Sequence, residues 1–113
     1  MRMWLVNPKT LCRQHLLGEH LEHHMLAGTI KKGISVDGYI REGLLDPSKL
    51  SSRHDELVQE MERRGYGHYS PLESVDYAED GACVDVESNL RELASRCEEC
   101  KRLQKEKTNA KVH

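Results

Sequence analysis

The 113-residue chain is long enough for one small domain with one modest core, and no stretch approaches the roughly 18 consecutive apolar residues of a membrane span. With 37% apolar residues, 32% charged residues and no phenylalanine it is polar for a globular protein, yet its periodic Leu, Val and Met exclude disorder throughout. A formal net charge of −2 excludes a strongly basic nucleic-acid-binding balance, although residues 1–70 hold ten Lys/Arg and six histidines against nine Asp/Glu, while residues 71–113 hold seven against ten. An anionic partner is expected to meet the N-terminal part. The first apolar run, MWLV, is too short for a signal peptide, so a cytoplasmic protein is expected, with Cys12, Cys83, Cys97 and Cys100 as reduced thiols.

Asn7-Pro8 predicts a helix start, with Asn capping and Pro pre-set at the first helical position; a first helix is expected from about Pro8 to Ala27, stopped by Gly28. Residues 28–50 carry Gly28, Gly33, Gly38, Gly43 and Pro47, which predicts loop-dominated structure with short helical turns at most. Ser51-Ser52 precede RHDELVQEMERRG, where Leu57, Val58 and Met61 recur at helical spacing and Gly65 terminates a second long helix. YGHYSPLESVDYAEDG reads as extended or looped. A third helix opens near Asp85, with Val86, Leu90, Leu93 and Cys97 on one face, and the tail at 108–113 is expected to fray. The expected fold is all-α: one domain over 1–107, three main helices and long irregular loops.

Residues 13–25, RQHLLGEHLEHHM, place four histidines and two glutamates on the first helix. On a helical wheel His15, Glu19, Glu22 and Leu26 share a face with Leu11 and Gly18, and Arg13, Leu17, His20 and His24 fall opposite. His20 with His24, or Glu19 with His23, could chelate an ion, but a site needs three or four convergent ligands and HExxH is absent. A charged or partly solvated surface is the expected setting of His20, His23 and His24. Gly18 bares the backbone, either for close approach of a ligand or, as pattern alone suggests, for tight packing of a neighbouring helix. Cys97-Glu-Glu-Cys100 is a CxxC, but a four-cysteine zinc knuckle needs Cys12 and Cys83 to converge on it. Cys97 is instead expected as a small core residue and Cys100 as a helix-end residue, and no metal or cofactor is assigned.

Arg2 near the chain start, Gln14-His15-Leu16 followed by Glu19 and Glu22, and Glu56-Leu57 through Arg64-Gly65-Tyr66 resemble the phage pyrimidine-dimer DNA glycosylase/AP lyase family. The similarity spans roughly residues 1–70, with a weaker echo from Val84 to Cys97. It implies a small α protein whose nucleophile is the chain's own α-amine, here on Met1, because Arg2 should block removal of the methionine. It further implies a catalytic glutamate at Glu22, a phosphate-holding Arg2, and Gln14 and His15 on the DNA side. An α-amine ionises near 7.7–8.0, about 2.5 units below lysine, so part of it is a neutral nucleophile at physiological pH.

Leu21 and Met25 stand where the resemblance implies two arginines, which passes phosphate contact to Arg13, Lys31, Lys32 and Arg53. The family's aromatic, basic tail is replaced by KEKTNAKVH, leaving the damaged or modified base open. The expected partner is double-stranded DNA, met by a monomer in a bacterial or phage-infected cytoplasm and not at a membrane. The alternatives are a non-catalytic DNA- or protein-binding module of the same fold and a small metal-binding helical protein.

Overall fold

The structure is a computed structural model; it describes residues 1–67 and 84–112, with side chains to residue 106. Asn7 Oδ1 accepts the Lys9 N–H at 3.0 Å and Pro8 takes the first position, as predicted, but only a 3-10 turn over Pro8–Thr10 follows. Leu11 is extended, and α1 (Arg13–Lys31) starts afresh with the Cys12 sulfur accepting the His15 N–H. Gly28 lies inside α1 rather than ending it. Ile30 beyond it packs on the core, which keeps the helix running, and the chain leaves only at Gly33, whose φ of +75° suits glycine.

The loop-dominated stretch contains a five-residue helix, α2 (Asp37–Arg41), and a 3-10 turn at Pro47–Lys49 capped by Asp46. The second long helix is α3 (Leu50–Arg63), closed by Gly65 at φ +84°. Asp85 opens α4 (Val86–Arg96) by accepting the Ser88 N–H at 3.0 Å. The expected third helix is then broken at Cys97, whose backbone is extended, and α5 (Glu98–Val112) continues into the segment read as a frayed tail. Residues 68–83, which include most of the expected extended segment and Cys83, lie outside the described residues. Among the described residues every regular element is helical and the fold is all-α, a single globule.

Helix α1 packs on α3, and α4 packs on α5, which also meets the Pro8–Thr10 turn. The core has two parts. Trp4, Val6, Leu11, Leu16, Leu57, Met61 and Leu93 form one, with Cys12 and Cys100, and Met3, Leu26, Ala27, Val36, Leu45 and Leu50 form the other. The N-terminal arm is threaded through both, with Met3 in one cluster and Trp4 and Val6 in the other. Burying about 2 kcal/mol worth of apolar side chain at each such residue anchors the chain start in the interior.

Candidate active site

The arm is held by bonds from distant parts of the chain. Met3 N–H donates to the Leu44 carbonyl at 2.8 Å, Asn89 Nδ2 donates to the Trp4 carbonyl at 2.8 Å, and Arg53 Nη1 donates to the Val6 carbonyl at 2.6 Å. Between them Leu5 takes a left-handed φ of +56°, uncommon for a leucine, which redirects the arm. These restraints fix the residue that matters most: the Arg2 N–H donates to Glu22 Oε2 at 3.3 Å. Glu22 is half-buried, and burial pushes its carboxyl up from the ordinary range. The Met1 α-amine charge and the Arg2 N–H oppose that shift.

A groove of about 270 Å³ opens here, lined by Arg2 and Trp4 of the arm, by Gln14, His15, Gly18, Glu19 and Glu22 of α1, and by Arg96 of α4. Gly18 does not serve close helix packing, contrary to the pattern-based expectation: a Cβ there would meet nothing within 4 Å. Its missing side chain widens the groove instead. His15 is half-buried, and burial, helped by the Arg96 charge, lowers its imidazole pKa, favouring the neutral ring.

The structure brings Arg2, Gln14, His15 and Glu22 together and separates the other expected residues. Arg13 is exposed, its guanidinium carbon 5.3 Å from the Tyr66 ring centre, and it does not line the groove. Lys31 and Lys32, also exposed, lie at the far end of α1, about 20 Å from Gly18 at 1.5 Å per residue. Arg53, expected to hold phosphate, is corrected: it is 1% exposed and forms a two-pronged pair with Glu19 at 2.7 and 2.9 Å. With Val6 and Glu56 as its further partners, its guanidinium is committed to the interior. The pair locks α3 to α1 and to the arm.

The histidines also differ from the expected solvated face. His23 is fully buried, with Nδ1 2.8 Å from the Glu19 carbonyl, and burial lowers its imidazole pKa. His20 and His24 gather with buried His54 of α3, their nitrogens within 4.8 Å of one another. Leu21 and Met25 are 60% and 53% exposed, an apolar edge on the turns that carry Glu22.

Three contributors from α4 were not legible in the sequence. Asn89 is buried, bonding both the Trp4 carbonyl and, through Oδ1, Arg2 Nη2 at 2.7 Å. Glu92 Oε2 receives Arg2 Nη1 at 2.5 Å and Arg96 Nη2 at 3.0 Å. Arg2 also stacks on Trp4, its guanidinium carbon 3.9 Å from the ring centre. No local spacing signals these residues, because Asn89 meets its partners across at least 85 positions and Glu92 meets Arg2 from the same distant helix.

No helix among the described residues is long and apolar enough to cross a membrane. A half-buried carboxylate bonded to the N-terminal arm, at an open groove on an all-helical scaffold, marks the candidate site. The model of the pyrimidine dimer DNA glycosylase family matches residues 1–74. The chain belongs to that family, so DNA is its class of substrate and base excision its class of activity. No curated protein and no solved structure matches the chain.

Proposed function

We propose that the protein is a DNA glycosylase/AP lyase that uses the Met1 α-amine as nucleophile and Glu22 as its acid–base partner on damaged or modified pyrimidines in duplex DNA. The observation that carries this reading is the bond from the Arg2 N–H to Glu22 Oε2, which ties the carboxylate to the residue next to the amine. The neutral amine attacks C1′, a C–N bond forms, and the glycosidic bond breaks with its electron pair leaving on the base, which takes up a proton. Loss of a proton from the new amine and protonation of the sugar-ring oxygen open the ring to an imine. Removal of a C2′ proton then expels the 3′ phosphate by β-elimination. Glu22 suits the proton transfers, since its raised pKa gives it a larger protonated fraction near neutrality than an ordinary carboxylate.

Positioning of DNA falls to the arginines of the groove. Arg2 and Arg96 converge on one Glu92 oxygen, and a backbone phosphate is a competing partner for both guanidiniums. Arg13 and Lys31 with Lys32, at the two ends of α1, are about 27 Å apart, or about eight base pairs of duplex, and act as flanking contacts. Leu21 and Met25, exposed on the turns of α1 that carry Gly18 and Glu22, offer an apolar surface to a flipped or unstacked base.

Borohydride trapping on duplexes carrying an abasic site or a cyclobutane dimer tests the reading. A covalent adduct at the N-terminus is expected, lost when the α-amine is acetylated and reduced in Glu22→Gln. Tight binding that survives both changes, without adduct or strand cleavage, would select a non-catalytic DNA-binding module instead.

A further inference from the structure

We infer that Cys12, His15, Cys97 and Cys100 form a structural zinc site that clamps α5 to the start of α1. The four side chains come from two short motifs, Cys12-x-x-His15 and Cys97-x-x-Cys100, whose ligand atoms all lie within 4.8 Å of one another. The halves repeat one local geometry. Each begins with a cysteine just ahead of a helix, and in each the sulfur of that first cysteine accepts the backbone N–H three residues on, His15 N to Cys12 Sγ and Cys100 N to Cys97 Sγ, both at 3.4 Å. This turn directs the first and fourth side chains of each motif to a common point.

Contacts between the halves match a tetrahedral metal. With bonds of about 2.3 Å to sulfur and about 2.0–2.1 Å to nitrogen, tetrahedral zinc sets ligand atoms about 3.8 Å apart for two sulfurs and about 3.6 Å for sulfur and nitrogen. Cys97 Sγ lies 3.9 Å from Cys12 Sγ, and His15 Nδ1 lies 3.6 Å from Cys100 Sγ; within the first half His15 Nδ1 lies 3.1 Å from Cys12 Sγ, a hydrogen-bonded approach that has to lengthen by about 0.5 Å on coordination. A sulfur separation of 3.9 Å is nearly twice a disulfide bond, and all three cysteines are free. Soft thiolates with one imidazole are the donor set of structural zinc, and they leave no open coordination position. The Cys12 N–H donates to Cys100 Sγ at 3.3 Å, an outer contact of the kind that supports ligating sulfur.

Binding would displace one proton from each of the three thiols to solvent, leaving His15 neutral and coordinating through Nδ1. The purpose of the site lies in its location. Cys12 and His15 lie within the family-matched residues 1–74, whereas Cys97 and Cys100 belong to the segment after it. One ion ties the two, and it fixes the ring of His15 on the wall of the groove. A domain this small gains much from such a clamp.

The test uses untagged full-length protein purified without chelator. About one zinc per chain is expected by elemental analysis, with chelation lowering the melting temperature by about 10 °C or more. Cobalt reloading is expected to give thiolate-to-metal charge-transfer bands and the intense visible bands of a tetrahedral site. Cys97→Ser should lose the zinc and those bands, Cys97→His should retain the metal, and His54→Ala should leave both zinc content and spectrum unchanged. Metal-free protein after zinc supplementation, an unshifted melt after complete zinc removal, or zinc lost by His54→Ala but kept by Cys97→Ser would each overturn the inference. A disulfide among these cysteines in freshly lysed, alkylated cells would overturn it as well.

Discussion

Gly18 separates a groove built for substrate from one left by packing. In the middle of a helix glycine is about 0.8–1.0 kcal/mol less favourable than alanine, and at Gly18 nothing within 4 Å of the added Cβ offsets that gain. Gly18→Ala should therefore raise stability by nearly this amount, or about 3–5 °C in melting temperature for a domain of this size. The same methyl projects about 1.5 Å from the backbone into the groove beside Glu22. Displacing the reacting sugar on that scale should slow excision by about 10- to 100-fold, and Gly18→Phe should abolish it.

Thermal melts and single-turnover excision on a dimer-containing duplex measure the two effects side by side. A variant that is more stable yet slower is the expected signature. If Gly18→Ala and Gly18→Phe both excise at the parent rate, the damaged nucleotide does not enter by this groove. If Gly18→Ala is instead destabilised by about 1 kcal/mol, the space above Gly18 is filled in solution and is not open to substrate.

Glu22→Gln should lower turnover and change stability in a pH-dependent way. Burial raises the folded carboxyl above its unfolded value of 4.5, so the folded state holds the proton more tightly; the resulting destabilisation is absent below that value, grows as pH rises through it, and is complete above the folded pKa. Melts from acid to neutral pH should show Glu22→Gln equal to the parent at the acid end and more stable near pH 7; the reverse trend would contradict a raised pKa. For the buried pair, Glu19→Gln or Arg53→Met alone should cost about 3–5 kcal/mol in urea denaturation, while Glu19→Leu with Arg53→Met recovers most of it; additive losses would show that the two side chains are not coupled. Arg96→Ala should weaken duplex binding and reduce the slope of log affinity against log salt by about 0.9. Glu92→Gln should strengthen binding by releasing two guanidiniums, and unchanged affinity in both would remove this edge from the DNA interface.

What could be read from the chain was what is encoded locally. The Gly65 stop and the Asp85 cap act within a few residues and appear where the pattern places them, while the Asn7-Pro8 signal heads only a 3-10 turn ahead of α1. The wheel likewise put His15, Gly18, Glu19 and Glu22 on one face, and these line the groove. It could not separate Glu19 from Glu22, because their difference comes from Arg53, 34 residues from Glu19. That pairing commits Glu19 to the interior and leaves Glu22 the carboxylate bonded to the N-terminal arm. For the same reason His23 read as surface: its burial depends on tertiary packing, which periodicity on so polar a helix does not reveal.

The family match ends at residue 74, but the groove closes only with residues of α4. The amine and Glu22 lie within the matched part, yet the bond that holds Trp4 comes from Asn89, and Glu92 and Arg96 form the facing edge. Arg2 is the joint between the two parts. Its backbone bonds the Glu22 carboxylate, while its guanidinium is held by Asn89, Glu92 and the Trp4 ring. Any force on α4 is thus transmitted to Arg2 and through its backbone to Glu22. A phosphate competing for the two arginines that share Glu92 would loosen Arg2 from α4. The buried Arg53–Glu19 pair supplies the fixed frame against which that small motion occurs, since it holds the Val6 end of the arm whatever happens at Arg2.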